Sequence, residues 1–152
     1  MPIGPIFGEV KLRSFPLLIV AVVIYNLIAL VHGFNPDETA ALLAINVPLK
    51  MFSGQVWHFS VGDLVVVIAL GMLFVEVVKA TRTTAMEIIN HALSMIVFII
   101  ALVEFLVFKP FATTPFFLIM VMALFDIVAG FTISIVAAKR DLGVAGGIIG
   151  TN

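Results

Sequence analysis

The sequence predicts an all-α integral membrane protein: a four-helix bundle with a short interfacial helix between spans 1 and 2, forming one domain over residues 1–152. Three observations carry this. Of the 152 residues, 62% are hydrophobic and only 11% are charged, too few ionised side chains to cover a soluble domain of this size. Mean hydropathy is +1.27, so the surplus apolar side chains must face lipid. Four apolar runs, at about 15–32, 60–78, 88–108 and 115–138, meet the length criterion of roughly 20 residues for a tilted spanning helix.

The same composition excludes several functions. A net charge of −1 without a basic patch excludes nucleic acid as a partner. The absence of cysteine removes disulfides, thiolate metal sites and thiol–disulfide redox chemistry together.

Residues 1–14 carry Lys11 and Arg13 ahead of the first apolar run. Ile3, Ile6, Phe7 and Val10 suit a membrane surface, although Pro2 and Pro5 oppose a regular helix at the very start. Basic residues before an apolar run also describe a signal peptide. The run from Phe15 to Val31 is longer than a typical signal core, and Ala29-Leu30-Val31 is a poor cleavage site. It therefore reads as the first span.

Flanking cations set the expected orientation. Lys11, Arg13, Lys79, Arg82, Lys139 and Arg140 fall on one side, Lys50 and Lys109 on the other. That asymmetry puts both termini in the cytoplasm of a multi-pass protein of the bacterial inner (plasma) membrane.

On the outer side, Asn35-Pro36-Asp37-Glu38 reads as a helix start: an N-cap, proline at the first position, acids in the first turn. The helix expected over 36–47 is too short to span, and Pro48 ends it. Trp57 stands where an aromatic-belt residue would. Ser60 and Asp63 form a capping box that opens the second span. Lys79–Glu87 is a short link around Thr81, Arg82, Thr83 and Thr84, and residues 109–114 form a tight turn that pairs spans 3 and 4. The tail 141–152 holds four glycines and is expected to be flexible or docked on a partner.

Inside the spans the polar and small residues fall on stripes. Span 2 has Gly62, Ala69 and Glu76; span 3 has Glu87, Asn90, His91, Ser94, Ala101 and Glu104; span 4 has Ala123, Asp126, Gly130, Ser134 and Ala137. In span 1 the stripe is Tyr25, Asn26, Ala29, His32 and Gly33. At 1.5 Å rise per residue, Glu76 and His91 reach one level and can pair, with Lys79 competing for Glu76. Glu104 lies about 7 Å inside the outer boundary, level with Tyr25 and Asn26 as donors. Asp126 lies about 18 Å deep, with Ser94 its nearest polar candidate and no charge at its level. A carboxylate at that depth is costly and marks a functional hypothesis. It is expected to be a neutral group bonded to a neighbouring helix, a group paired by another subunit, or a proton or cation carrier. His32 and His58 can face each other across the outer ends of spans 1 and 2, too few ligands for a metal.

The segments LFVEVVKATRT (73–83), NHALSMIVFIIALVEFL (90–106), LFDIVAGFT (124–132) and AAKRDLGV (137–144) resemble uncharacterised small bacterial four-helix inner-membrane proteins. The resemblance implies four spans and transfers no functional residue. The small multidrug transporters differ: they place an essential Glu in the first span, which here has no carboxylate.

The expected function is a non-enzymatic membrane subunit or scaffold that self-associates or docks on a larger membrane complex. The alternative is a small oligomeric proton or cation channel or transporter using Asp126 and Glu104. Asp126, Glu104, Glu76, His91, Ser94 and Asn26 are the intramembrane polar residues expected to serve assembly or an ion path. Expected partners are membrane lipids and either copies of the chain or other membrane subunits. No cofactor, metal or catalytic residue is expected, since nucleophile, metal cluster and phosphate loop are missing from the sequence.

Overall fold

The computed structural model describes residues 15–80 and 85–149. The basic segment 1–14, with Lys11 and Arg13, and the link residues Thr81, Arg82, Thr83 and Thr84 lie outside the described residues. Among the described residues the protein is mostly helical, with five helices that provide three to four candidate membrane spans. The elements are α1 (Leu18–Val31), α2 (Pro36–Ala44), β1 (Asn46–Lys50), β2 (Val56–Ser60), α3 (Val61–Ala80), α4 (Ala85–Val107), a 3₁₀ turn (Lys109–Phe111) and α5 (Thr114–Ile149).

α3, α4 and α5 each contain a segment long and apolar enough to cross a bilayer. Helix α1, with 14 residues, does not reach that length alone. It counts as a span only together with α2, from which it is bent by 118°. The bend has a local cause. Gly33 and Phe34 both adopt left-handed backbone, at φ 60° and 58°. The Phe34 N–H donates to Ala29 O at 2.8 Å and the Gly33 N–H to Leu30 O at 2.9 Å, the two bonds of a Schellman cap. Asn35 then caps α2 as expected, its Oδ1 accepting from the N–H groups of Asp37 and Glu38, with Pro36 in the first turn.

Helix α2 ends at Ala44, three residues before the expected 47. The Asn46 side chain donates to Ala44 O at 2.9 Å, closing the helix from its C-terminal end. The chain then forms a two-stranded antiparallel hairpin that the sequence analysis did not foresee, with Val47 opposite Phe59 and Leu49 opposite Trp57. Pro48, read as a helix terminator, sits in β1 of this isolated ribbon, where an edge strand tolerates it.

The second strand runs straight into α3. Ser60 Oγ accepts from the Asp63 N–H at 3.0 Å, and Asp63 Oδ2 accepts from the Ser60 N–H at 2.8 Å, the expected capping box. Gly62 allows a close approach here, because a β-carbon on it would sit 2.9 Å from Pro115 Cγ at the start of α5. Helix α5 continues through Ile149, so residues 141–149 of the expected flexible tail are helical.

Helix α5 is the axis of the fold. Of its apolar span 44% is buried, against 22% for α3 and 28% for α4. The core on the hairpin side of the bundle is aromatic and aliphatic: Tyr25, Phe111, Phe116, Ile119, Ala101 and Ala123 are all essentially inaccessible. Outward-facing Phe74, Leu106 and Phe125 are each more than half exposed, as lipid-facing side chains are.

Candidate functional site

Five polar side chains from three helices are buried together: Glu76 on α3, Asn90, His91 and Ser94 on α4, and Asp126 on α5, none more than 2% exposed. Each lies on the inward stripe of its helix. The i, i+4 spacing of Asn90 and Ser94, and of Asp126 and Gly130, keeps one face turned to the bundle.

Glu76 is the structural anchor of the group. Its Oε1 accepts from Lys79 Nζ at 3.2 Å and from the Asn90 amide. Its Oε2 accepts from the Leu17 N–H at 2.8 Å. Leu17 is the N-cap of α1 and has no side-chain cap, so a carboxylate 59 residues away fills the positive end of that helix. Lys79 also donates to Phe15 O at 3.4 Å, tying the start of α1 to the end of α3. The expected competition for Glu76 is thus won by Lys79 and Asn90. His91 has no hydrogen bond to it, since both ring nitrogens lack a partner.

The His91 imidazole instead lies on α5. A β-carbon added at Gly130 would fall within the ring, and the Phe131 ring lies 6.0 Å from it, centre to centre. One turn earlier on α5, Asp126 faces Ser94, and Glu76, His91 and Lys79 lie within electrostatic range of it. One expectation about Asp126 changes here. Charged groups lie within electrostatic range, whereas depth counting gave none. Its carboxyl is also buried inside its own chain. Ser94 stands as the nearest polar neighbour, as depth predicted.

The cluster keeps unused hydrogen-bonding capacity. The Ser94 hydroxyl faces the Asp126 carboxyl, and Asn90 Oδ1, both His91 nitrogens and Asp126 Oδ2 are buried with no hydrogen-bond partner among the described residues. Each such atom costs on the order of 1–3 kcal/mol, and native proteins keep few of them.

Glu104 belongs to a separate site. Asn26 donates to its Oε2 at 3.2 Å and to Val22 O at 3.1 Å, and both side chains are half-buried. Tyr25, the other expected donor, bonds Pro110 O at 3.0 Å and Thr113 Oγ1 at 2.5 Å instead. Ten residues of α4 separate Ser94 from Glu104, about 15 Å. Between them lie the apolar Val97 and Ala101, so the two carboxylates proposed for one path stand apart. His32 and His58 do not meet either: His32 pairs with Glu38 at 3.4 Å and His58 with Asn46 at 2.9 Å.

Sequence reasoning missed the Leu17 contact and named His91 where Asn90 binds. Adjacent helical residues point about 100° apart, and rotation about the α4 axis is not encoded in depth. Comparison of the chain with family models, curated proteins and solved structures finds no match.

Proposed function

We propose that the protein is a small membrane carrier for protons or a monovalent cation, with Asp126 as the carrying carboxylate. One observation carries this reading: a carboxyl buried at membrane depth beside His91, Ser94 and Asn90, with the imidazole nitrogens and the Asn90 carbonyl oxygen unpartnered among the described residues. Glu76 and Lys79 form an ion pair that cancels within itself. Asp126 is then the carboxylate left to balance, with the His91 imidazole beside it. One carboxylate among neutral oxygen and nitrogen groups suits a single positive charge. Proton exchange between such groups is the usual role of intramembrane carboxylates and histidines.

The site lies towards the Lys79 end of the bundle. Lys79, about one-fifth exposed, and the start of α1 flank it there. Towards the hairpin, the packed side chains of Val97, Ala101, Ile119 and Ala123 close the bundle. That arrangement favours a carrier, which changes conformation to release its charge, over an open pore. With the flanking cations facing the cytoplasm, the proposed site loads from that side. The assembly reading draws less support from Asp126, which is enclosed by its own chain.

The test is flux in liposomes. With incorporation verified, wild-type protein should move protons or a monovalent cation down an imposed gradient, and Asp126→Asn should abolish the movement. Glu104→Gln should leave it largely intact. No flux in the wild type removes the proposal, and flux unchanged in Asp126→Asn clears that residue of the role.

A further inference from the structure

The hairpin has two unlike faces. Directly paired residues share a face of an antiparallel ribbon, so Val47, Phe59, Leu49 and Trp57 stand together on one side. Asn46, Ser60, Pro48, His58, Lys50 and Val56 stand on the other. The first face is wholly apolar and largely uncovered: Val47 is 61%, Leu49 41% and Trp57 49% exposed. Trp57 and Phe59 meet edge to face, ring centres 5.3 Å apart. The second face carries Lys50 and the His58–Asn46 hydrogen bond.

We propose that this hairpin is a membrane-interface anchor, its Val47–Leu49–Trp57–Phe59 face embedded at the headgroup–acyl boundary of the bilayer that its own spans cross. Three observations point to lipid. The strand ends at Ser60 and the α3 span begins at Val61, and the Val61 N–H donates to Ile45 O at 2.8 Å. The ribbon's base is therefore fixed at the level where α3 starts. Just beyond that base, α3 likewise exposes the apolar side chains of Leu64 and Val67. The chemistry is sided as an interface requires, with an indole on the apolar face and a lysine on the opposite one. A two-stranded ribbon is marginal in water alone, and burial of its apolar face stabilises it. The inference rests on α3 spanning the membrane and is independent of the transport proposal.

Trp57 is the only tryptophan in the chain, so its fluorescence reports this hairpin alone. The full-length protein is reconstituted in phosphatidylcholine vesicles, with or without lipid brominated near the top of the acyl chain. Emission should be blue-shifted and quenched several-fold more by bromolipid than by aqueous iodide. Leu49→Lys, with unchanged far-ultraviolet circular dichroism, should shift emission to the red and reverse that preference. Quenching by iodide and not by bromolipid overturns the proposal, placing the hairpin in water. Blue-shifted emission that neither quencher reaches also overturns it, in favour of a second copy covering the face. A Phe52→Trp probe in a Trp57→Phe background repeats the measurement at the tip, with the same outcomes deciding.

Discussion

Gly130 and His91 occupy complementary space: the imidazole lies where any side chain on Gly130 would begin. Two helices are thereby locked by a residue with no side chain and a ring with no hydrogen bond. Gly130→Ala should displace the ring and destabilise the protein by about 1–3 kcal/mol, as overpacking does. Gly71→Ala, with nothing within 4 Å, should be nearly neutral. Chemical or thermal unfolding in detergent compares the two. Adding His91→Ala to Gly130→Ala should recover most of the lost stability, because it removes the clashing partner. A Gly130→Ala variant as stable as wild type would show that α4 and α5 are not locked by this contact.

Glu76 holds three donors from three parts of the chain. Glu76→Ala strands the Leu17 N–H and the Asn90 amide and leaves Lys79 without its partner. The expected loss is about 3 kcal/mol, the lower end for breaking a buried pair, because Lys79 is partly solvated. Glu76→Gln should cost less, since it keeps an acceptor and Lys79 can extend towards the headgroups. Hydrogen exchange gives a local readout: the first turn of α1 should lose protection in Glu76→Ala while the first turn of α5 keeps it.

Tyr25 joins the start of the fold to the α4–α5 turn, bonding Pro110 O and Thr113 Oγ1 while its ring packs on Phe111 and Phe116. Tyr25→Phe keeps the rings and deletes both bonds, for an expected loss of about 1–2 kcal/mol. Thr113→Val should cost a similar amount. The double variant should cost clearly less than the sum, because both changes remove one shared hydrogen bond. Additive losses would show that the hydroxyl pair contributes nothing.

What was legible in the sequence was local or periodic. The Asn35 and Ser60–Asp63 caps close within three residues, so their spacing alone identifies them. The inward stripes followed from helical period, and depth placed Asn26 beside Glu104 and Ser94 beside Asp126. Contacts that depend on helix rotation were out of reach, as with Asn90 displacing His91 at Glu76. So was the Leu17–Glu76 bond, whose donor is a backbone group that no residue type announces. The hairpin had a signal that went unread: Val47, Leu49 and Met51 alternate with polar or proline positions, as do Trp57 and Phe59. Pro48, which also suits a helix stop, masks that period of two.

The break after Val31 gives the molecule unequal flanks. Helix α1, with 14 residues, is about 21 Å long, whereas the 23-residue apolar part of α5 is about 35 Å. A hydrocarbon layer is about 30 Å thick, so no flat bilayer matches both. Lipids beside α1 must thin or the whole bundle must tilt, at a cost of fractions of a kcal/mol for each ångström of mismatch. Acyl-chain length should therefore alter the tilt of the bundle, and shorter-chained lipids should gather along its α1 side.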